Sequence, residues 1–159
     1  MQTFLPYRDF KKTARSLDYR RLGKQRVETF QLLRAINGET KGWANHPAAR
    51  MWRGHEKTLV VYGTTICSEW KARGYVDNMQ SRIGEYFYIF TDSEEHPPPW
   101  LGDSGFHLSH QSNLIRKFPE HYGPQFPGVP DDLEYIWPVP EDLDFESGLT
   151  SGPPYAKVK

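Results

Sequence analysis

Apolar positions recur along most of the chain at helical spacing. Over residues 19–36, Leu22, Val27, Phe30, Leu33 and Ile36 return at intervals of three to five, the period of one buried helix face. Asn37-Gly38 then supplies a stop. Before it, Phe4-Leu5-Pro6-Tyr7 is an apolar opening segment, and Asp9 is placed to cap a short helix running to about Leu17. After it, residues 39–46 form a polar loop holding Trp43, and Asn45-His46-Pro47 starts a long helix with Pro in its first turn. That helix reaches Arg73 with a break at Gly54. Leu59, Tyr62, Ile66 and Trp70 share one face, and Lys71, Arg73 and Gly74 close it.

Residues 77–91 fit a helix through Ile83, Tyr86, Phe87 and Phe90, although Glu85 to Phe90 also suits a strand; helix is preferred. His96-Pro97-Pro98-Pro99-Trp100 is a stiff extended loop. A further helix opens at Ser104 and ends near Lys117, bounded by Pro119. From Phe118 to Pro140, prolines alternate with Phe118, Tyr122, Phe126, Tyr135 and Trp137, which predicts an irregular segment wrapped on the surface. The expectation is a mainly α, compact single-domain helical fold over residues 1–140, with a long irregular Pro- and aromatic-rich C-terminal segment. The acidic, then Gly/Pro/Ser-rich stretch 141–159 is expected to be disordered.

Composition sharpens this in three ways. At 159 residues, 37% hydrophobic and 25% charged, the chain suffices for one domain with a real core. Its one cysteine, Cys67, cannot form an internal disulfide and sits in an apolar run, so it reads as a small buried thiol in a reducing compartment. No stretch approaches the ~20 apolar residues of a membrane span, and the first residues lack the basic-then-apolar order of a signal peptide. The expected location is the cytoplasm.

The net charge of zero conceals a split. Residues 1–90 carry sixteen Lys and Arg against eight Asp and Glu; residues 91–159 carry four against twelve. A basic working surface and an acidic tail account for it; chance segregation of surface charge is the alternative. The cations concentrate in Arg20-Arg21-Leu22-Gly23-Lys24-Gln25-Arg26-Val27-Glu28. On a helix, Arg21, Lys24, Gln25 and Glu28 fall within an arc of about 100°, with Arg20 and Arg26 off its centre. Such a face suits phosphate gripping, with a carboxylate placed for chemistry; a solvated face with an i, i+4 Lys24–Glu28 pair is the plainer reading. Gly23 inside that helix costs about 1 kcal/mol against alanine, which points to a close approach by another backbone or a ligand. His46, His55, His107 and His110 show no zinc-class spacing, so no metal is expected.

The run Arg21-Leu22-Gly23-Lys24-Gln25-Arg26-Val27-Glu28 resembles the N-terminal helix motif of the pyrimidine-dimer DNA glycosylase family, the endonuclease V class, nearest to its bacterial members. Two further stretches continue the resemblance over roughly residues 1–125. His46-Pro47 leads a long helix ending Glu69-Trp70-Lys71-Ala72-Arg73-Gly74-Tyr75, and Ser109-His110-Gln111-Ser112-Asn113-Leu114 is followed by Tyr122. The resemblance implies a helical fold that bends duplex DNA, flips a nucleotide out and cleaves its glycosidic bond. The family's nucleophile is the chain's own α-amine, which forms an imine with the sugar; a motif-helix glutamate assists and β-elimination nicks the strand. An amine attacks only when neutral. An α-amine ordinarily titrates near 8 and a lysine near 10.4, so the former holds about 300 times more neutral form at pH 7.

Two departures stand out. Gln2 is bulky and hinders removal of Met1, and Glu28 comes one residue later than the family's glutamate, because Val27 follows Arg26. The expected activity is therefore a glycosylase, with abasic-site lyase chemistry, acting without a cofactor on duplex DNA carrying damaged or modified pyrimidines, with no membrane and no obligate protein partner. Met1 or Gln2 would supply the amine, and Glu28 would assist. Arg20, Arg21, Lys24, Gln25, Arg26, His46, Arg53, Trp100, His110 and Lys117 would contact DNA, Trp100 by stacking or wedging. A non-catalytic nucleic-acid binder on the same fold and an enzyme for free nucleotides are the alternatives.

Overall fold

A computed structural model describes residues 1–94 and 96–138. The expected tail 141–159 and the end of the 1–140 domain lie outside these residues. Among the described residues seven helices follow one another: α1 (Phe10–Ser16), α2 (Tyr19–Ile36), α3 (Pro47–Trp52), α4 (Glu56–Ala72), α5 (Gln80–Ile89), α6 (Ser104–Lys117) and α7 (Pro119–Tyr122). Among the described residues there is no strand. The fold is helical, as the spacing predicts.

The boundaries follow local chemistry. Asp9, Asp18 and Asp103 accept from the free amides of the first turns of α1, α2 and α6. His46 does the same for α3 through its ring nitrogen, with Pro47 behind it. Gly54, at φ +85°, makes the break between α3 and α4. The ambiguous stretch after residue 77 is the helix α5, and it buries Ile83 and Tyr86. Within the irregular C-terminal segment Pro119 does more than end α6: it opens the turn α7, whose Tyr122 is fully buried.

Helix α4 is the hub. It packs on α2, α1 and α5, and its predicted face places Leu59, Tyr62 and Ile66 in the core, where Cys67 is also buried. The buried face of α2 differs from the predicted stripe: Leu22, Gln25, Thr29, Leu32, Leu33 and Ala35 point inward, while Val27, Phe30 and Ile36 are only partly covered. Gly23 faces Trp70 of α4, and a Cβ there would come within 2.9 Å of the indole. The glycine thus sets how closely α2 and α4 approach.

The opening segment is the feature that positions the site. Gln2 to Pro6 is buried yet non-helical, so its backbone groups need side-chain partners. Trp52 Nε1 donates to Thr3 Oγ1 at 3.1 Å. The Tyr62 hydroxyl donates to the Phe4 carbonyl at 2.9 Å. Leu5 N–H donates to His110 Nδ1 at 3.0 Å, and His107 Nδ1 bonds the Leu5 carbonyl at 2.8 Å. Gln111 donates to the Pro6 carbonyl at 2.8 Å. Residues from α3, α4 and α6 thereby hold the N-terminal segment across the middle of the protein.

Candidate active site

The free end of that segment opens into a cleft of about 900 Å³, lined from below by Met1, Gln2 and Glu28. The backbone nitrogen of Gln2 donates to Glu28 Oε2 at 3.2 Å. Gln25 ties both ends of this contact. Its amide nitrogen donates to the Gln2 carbonyl at 2.8 Å and to Glu28 Oε2 at 3.1 Å. Its oxygen accepts from Phe4 N–H at 3.0 Å and from the Tyr62 hydroxyl at 2.6 Å. One buried amide therefore sets the register between the chain's first residues and the carboxylate. Burial pushes the Tyr62 phenol well above its ordinary value, with the Glu28 charge acting in the same sense, so the hydroxyl stays a donor.

The first turns of α2 supply the basic wall. Tyr19, Arg20, Arg21 and Lys24 line the cleft, and Lys117 faces them from the end of α6. Lys24 is 77% exposed, and its ammonium lies 4.0 Å from Glu28. Arg21 is anchored by Asp18 at 3.1 Å. Burial would raise the Asp18 carboxyl, but hydrogen bonds from Tyr122 and Arg21 and the Arg21 charge hold it below its ordinary value. The anion behind Arg21 is thereby fixed, leaving part of the guanidinium open to the cleft.

The remaining wall comes from the C-terminal segment. Leu133 and Ile136 donate through their backbones to Ser112 and Ser109 of α6, which brings Tyr135 and Trp137 over the cleft. Burial pushes the Tyr135 phenol up to about 12, so it remains a neutral donor. Trp137 meets the His46 ring edge-on at 5.6 Å, and Trp43 meets the same ring edge-on at 5.3 Å. His46 Nδ1 accepts from Ala48 N–H at 3.0 Å, which leaves the proton of the neutral ring on Nε2. Its pKa is lowered by burial and by the positive charge of the chain's own N-terminal amine; that amine lies within electrostatic reach of His46.

Of the residues singled out from sequence, the cleft gathers Met1, Gln2, Glu28, Arg20, Arg21, Lys24 and Lys117, with His46 alongside through Trp137. Five others sit elsewhere. Gln25 is fully buried behind Glu28 rather than facing outward, because the N-terminal backbone, Glu28 and Tyr62 take its hydrogen bonds. Arg26 pairs with Asp77 at 2.7 Å under the Trp70 ring, with 12% of its side chain exposed. Trp100 is 2% exposed and donates to the Met51 carbonyl, so it presents no face to a base. His110 is 1% exposed; burial pushes it down to about 3 and it serves Leu5. Arg53 is exposed and bonds the Ala44 carbonyl outside the cleft.

Sequence reasoning did not place Asp18, Tyr19, Phe118 or Tyr135 at the cleft. Asp18 and Tyr19 border the basic motif and were within its reach. Tyr135 arrives from across the fold, and only the paired Ser109 and Ser112 that dock its segment hinted at it. Among the described residues no group of three or more His, Cys, Asp or Glu side chains converges as a metal site, and no helix is long and apolar enough to cross a membrane.

The first residues of the chain thus meet a carboxylate at the floor of a cleft rimmed by cations, an arrangement that suits a sugar within a phosphodiester chain. A family model described as pyrimidine dimer DNA glycosylase matches residues 1–82, which hold the opening segment and all of α1 to α4. No curated protein and no solved structure is significantly similar to the chain.

Proposed function

The chain belongs to the pyrimidine dimer DNA glycosylase family, and from that premise we propose that it excises damaged or modified pyrimidines and nicks the resulting abasic site through its N-terminal amine. The observation that carries this reading is the 3.2 Å contact between Gln2 N and Glu28 Oε2 at the floor of a cation-rimmed cleft. With Met1 in place, its α-amine follows within one Cα step of about 3.8 Å; with Met1 removed, the amine is the nitrogen already at the carboxylate.

The flipped nucleotide enters the cleft while Arg21, Lys24, Arg20 and Lys117 hold the flanking phosphates. The neutral amine attacks C1′; its N–C1′ bond forms as the glycosidic bond breaks, and the base leaves with that electron pair. Glu28 takes the ammonium proton and offsets the positive charge that develops on the sugar. Opening of the sugar ring yields an imine. Loss of a C2′ proton then expels the 3′ phosphate, and water releases the enzyme. No cofactor enters these steps.

The shift of Glu28 one residue along the motif is compatible with this role, because Gln25 and the threaded N-terminus meet the carboxylate where it stands. Borohydride reduction on ultraviolet-irradiated or abasic duplex DNA tests the proposal. It should yield a covalent protein–DNA adduct; DNA binding without any adduct rejects the amine chemistry and selects a non-catalytic binder.

A further inference from the structure

Tyr19 opens α2 at the cleft and is 51% exposed. Its ring stacks on Tyr75, with centroids 6.5 Å apart and planes 24° from parallel. Tyr75 stacks in turn on Trp70 at 4.1 Å and 21°. The innermost ring is locked from three sides. Trp70 Nε1 donates to the Val76 carbonyl at 3.0 Å, the Arg26 guanidinium lies 4.6 Å from its centroid, and Gly23 leaves no gap beneath it. Arg26 is itself held by Asp77. A column of three aromatic rings thus runs from the α2–α4 contact out to solvent and ends at the rim of the cleft.

We propose that this column is a stacking platform, on which Tyr19 receives a nucleobase that has lost its neighbour in the duplex; the proposal rests on the DNA reading of the cleft. The charges around the outer ring fit that occupant. Arg20 donates to the Tyr19 hydroxyl at 3.0 Å, and Arg21 and Lys24 follow within the next turn. Aromatic faces bordered by cations are how proteins hold unstacked nucleic acid, with rings on bases and cations on the backbone. A tyrosine already backed by two rings has little freedom left to lose on binding. Removing a base from the stack leaves an open base face beside the lesion, and the platform offers it a replacement.

The test uses a labelled duplex containing one tetrahydrofuran abasic-site analogue and an intact duplex of the same sequence. The analogue cannot form an imine, so binding is read apart from amine chemistry. Wild-type protein should prefer the analogue duplex. Tyr19→Ala should weaken binding to it about 5- to 140-fold, the worth of one stacked base, while intact-duplex binding changes less than twofold. Tyr19→Leu, which keeps bulk without a π face, should behave like Tyr19→Ala, and Tyr19→Phe like wild type. Equal losses on both duplexes, no loss, no wild-type preference, or a Phe variant as weak as Ala each overturn the platform. A Tyr19-dependent preference in a protein that yields no borohydride adduct on a true abasic site upholds the platform and rejects the lyase; an adduct without Tyr19-dependent binding does the reverse.

Discussion

Gln2 and Glu28, twenty-six residues apart, meet through a 3.2 Å hydrogen bond from backbone nitrogen to carboxylate. Nothing local brings them together; the N-terminal segment is drawn inward by side chains of four helices, and Glu28 rises from α2 to meet it. The account therefore turns on Glu28 acting on the amine. Glu28→Gln keeps an acceptor for Gln2 N–H but removes the base. Adduct formation should slow by about 10²- to 10⁴-fold, the usual contribution of a placed acid–base group, with DNA affinity within a few fold. An unchanged trapping rate contradicts the role.

Gln25 is the second test, because it acts through others. Gln25→Leu leaves Phe4 N–H and the Gln2 carbonyl without their partner, and the Tyr62 hydroxyl with the Phe4 carbonyl alone. Each such buried orphan costs about 1–3 kcal/mol, so the melting temperature should fall by several degrees or more. Tyr62→Phe removes only one hydroxyl and should cost about 1 kcal/mol. Thermal melts of both variants decide it: a Gln25→Leu protein as stable as wild type places the amide outside this network.

The cations of α2 and of the end of α6 should separate into two kinds. Lys24→Ala and Lys117→Ala should each lower the slope of log affinity against log salt by about 0.9 with little effect on stability. Arg26→Ala leaves the buried Asp77 carboxylate unpaired and should instead destabilise the fold by about 3–5 kcal/mol. Salt titrations and melts of the three variants check the division; a Lys24 variant with the wild-type slope removes that residue from the phosphate track.

Acid should weaken the fold through His110. Buried among core residues, it sits at about 3 against an ordinary 6.5. Between those values the unfolded chain takes up a proton that the folded chain refuses, so stability rises with pH across that window. The contribution is complete above about pH 6.5 and disappears as pH falls toward 3. Asp18 and Asp77, both held below 3.8, act in the same direction lower down. The melting temperature should drop between pH 7 and pH 4, and His110→Asn, whose side-chain oxygen can still accept from Leu5 N–H, should flatten the drop. A flat wild-type profile over that range is the contrary result.

Legibility from sequence tracked how local each cause was. Gly23 signalled a close approach, and Trp70 is what approaches. The helix ends were readable because Asp9, Asn45-His46-Pro47 and Gly74 act on their own neighbours. Gln25 was not, since an amide on a helix looks like a surface residue until a non-helical backbone is threaded past it. The burial of Trp100 was hidden for a similar reason. The proline loop looks exposed in sequence, yet Trp100 packs between Trp52 and Phe106, while Trp137 reaches the cleft on a segment docked to α6.

The most direct measurement is the site of covalent attachment in a borohydride-reduced complex with abasic duplex DNA, read by peptide mass spectrometry. The account predicts one adduct, on the α-nitrogen of residue 1, or of residue 2 where Met1 has been removed, and its loss when an N-terminal extension blocks the amine. Attachment at a lysine such as Lys24, or an adduct that survives the extension, contradicts it.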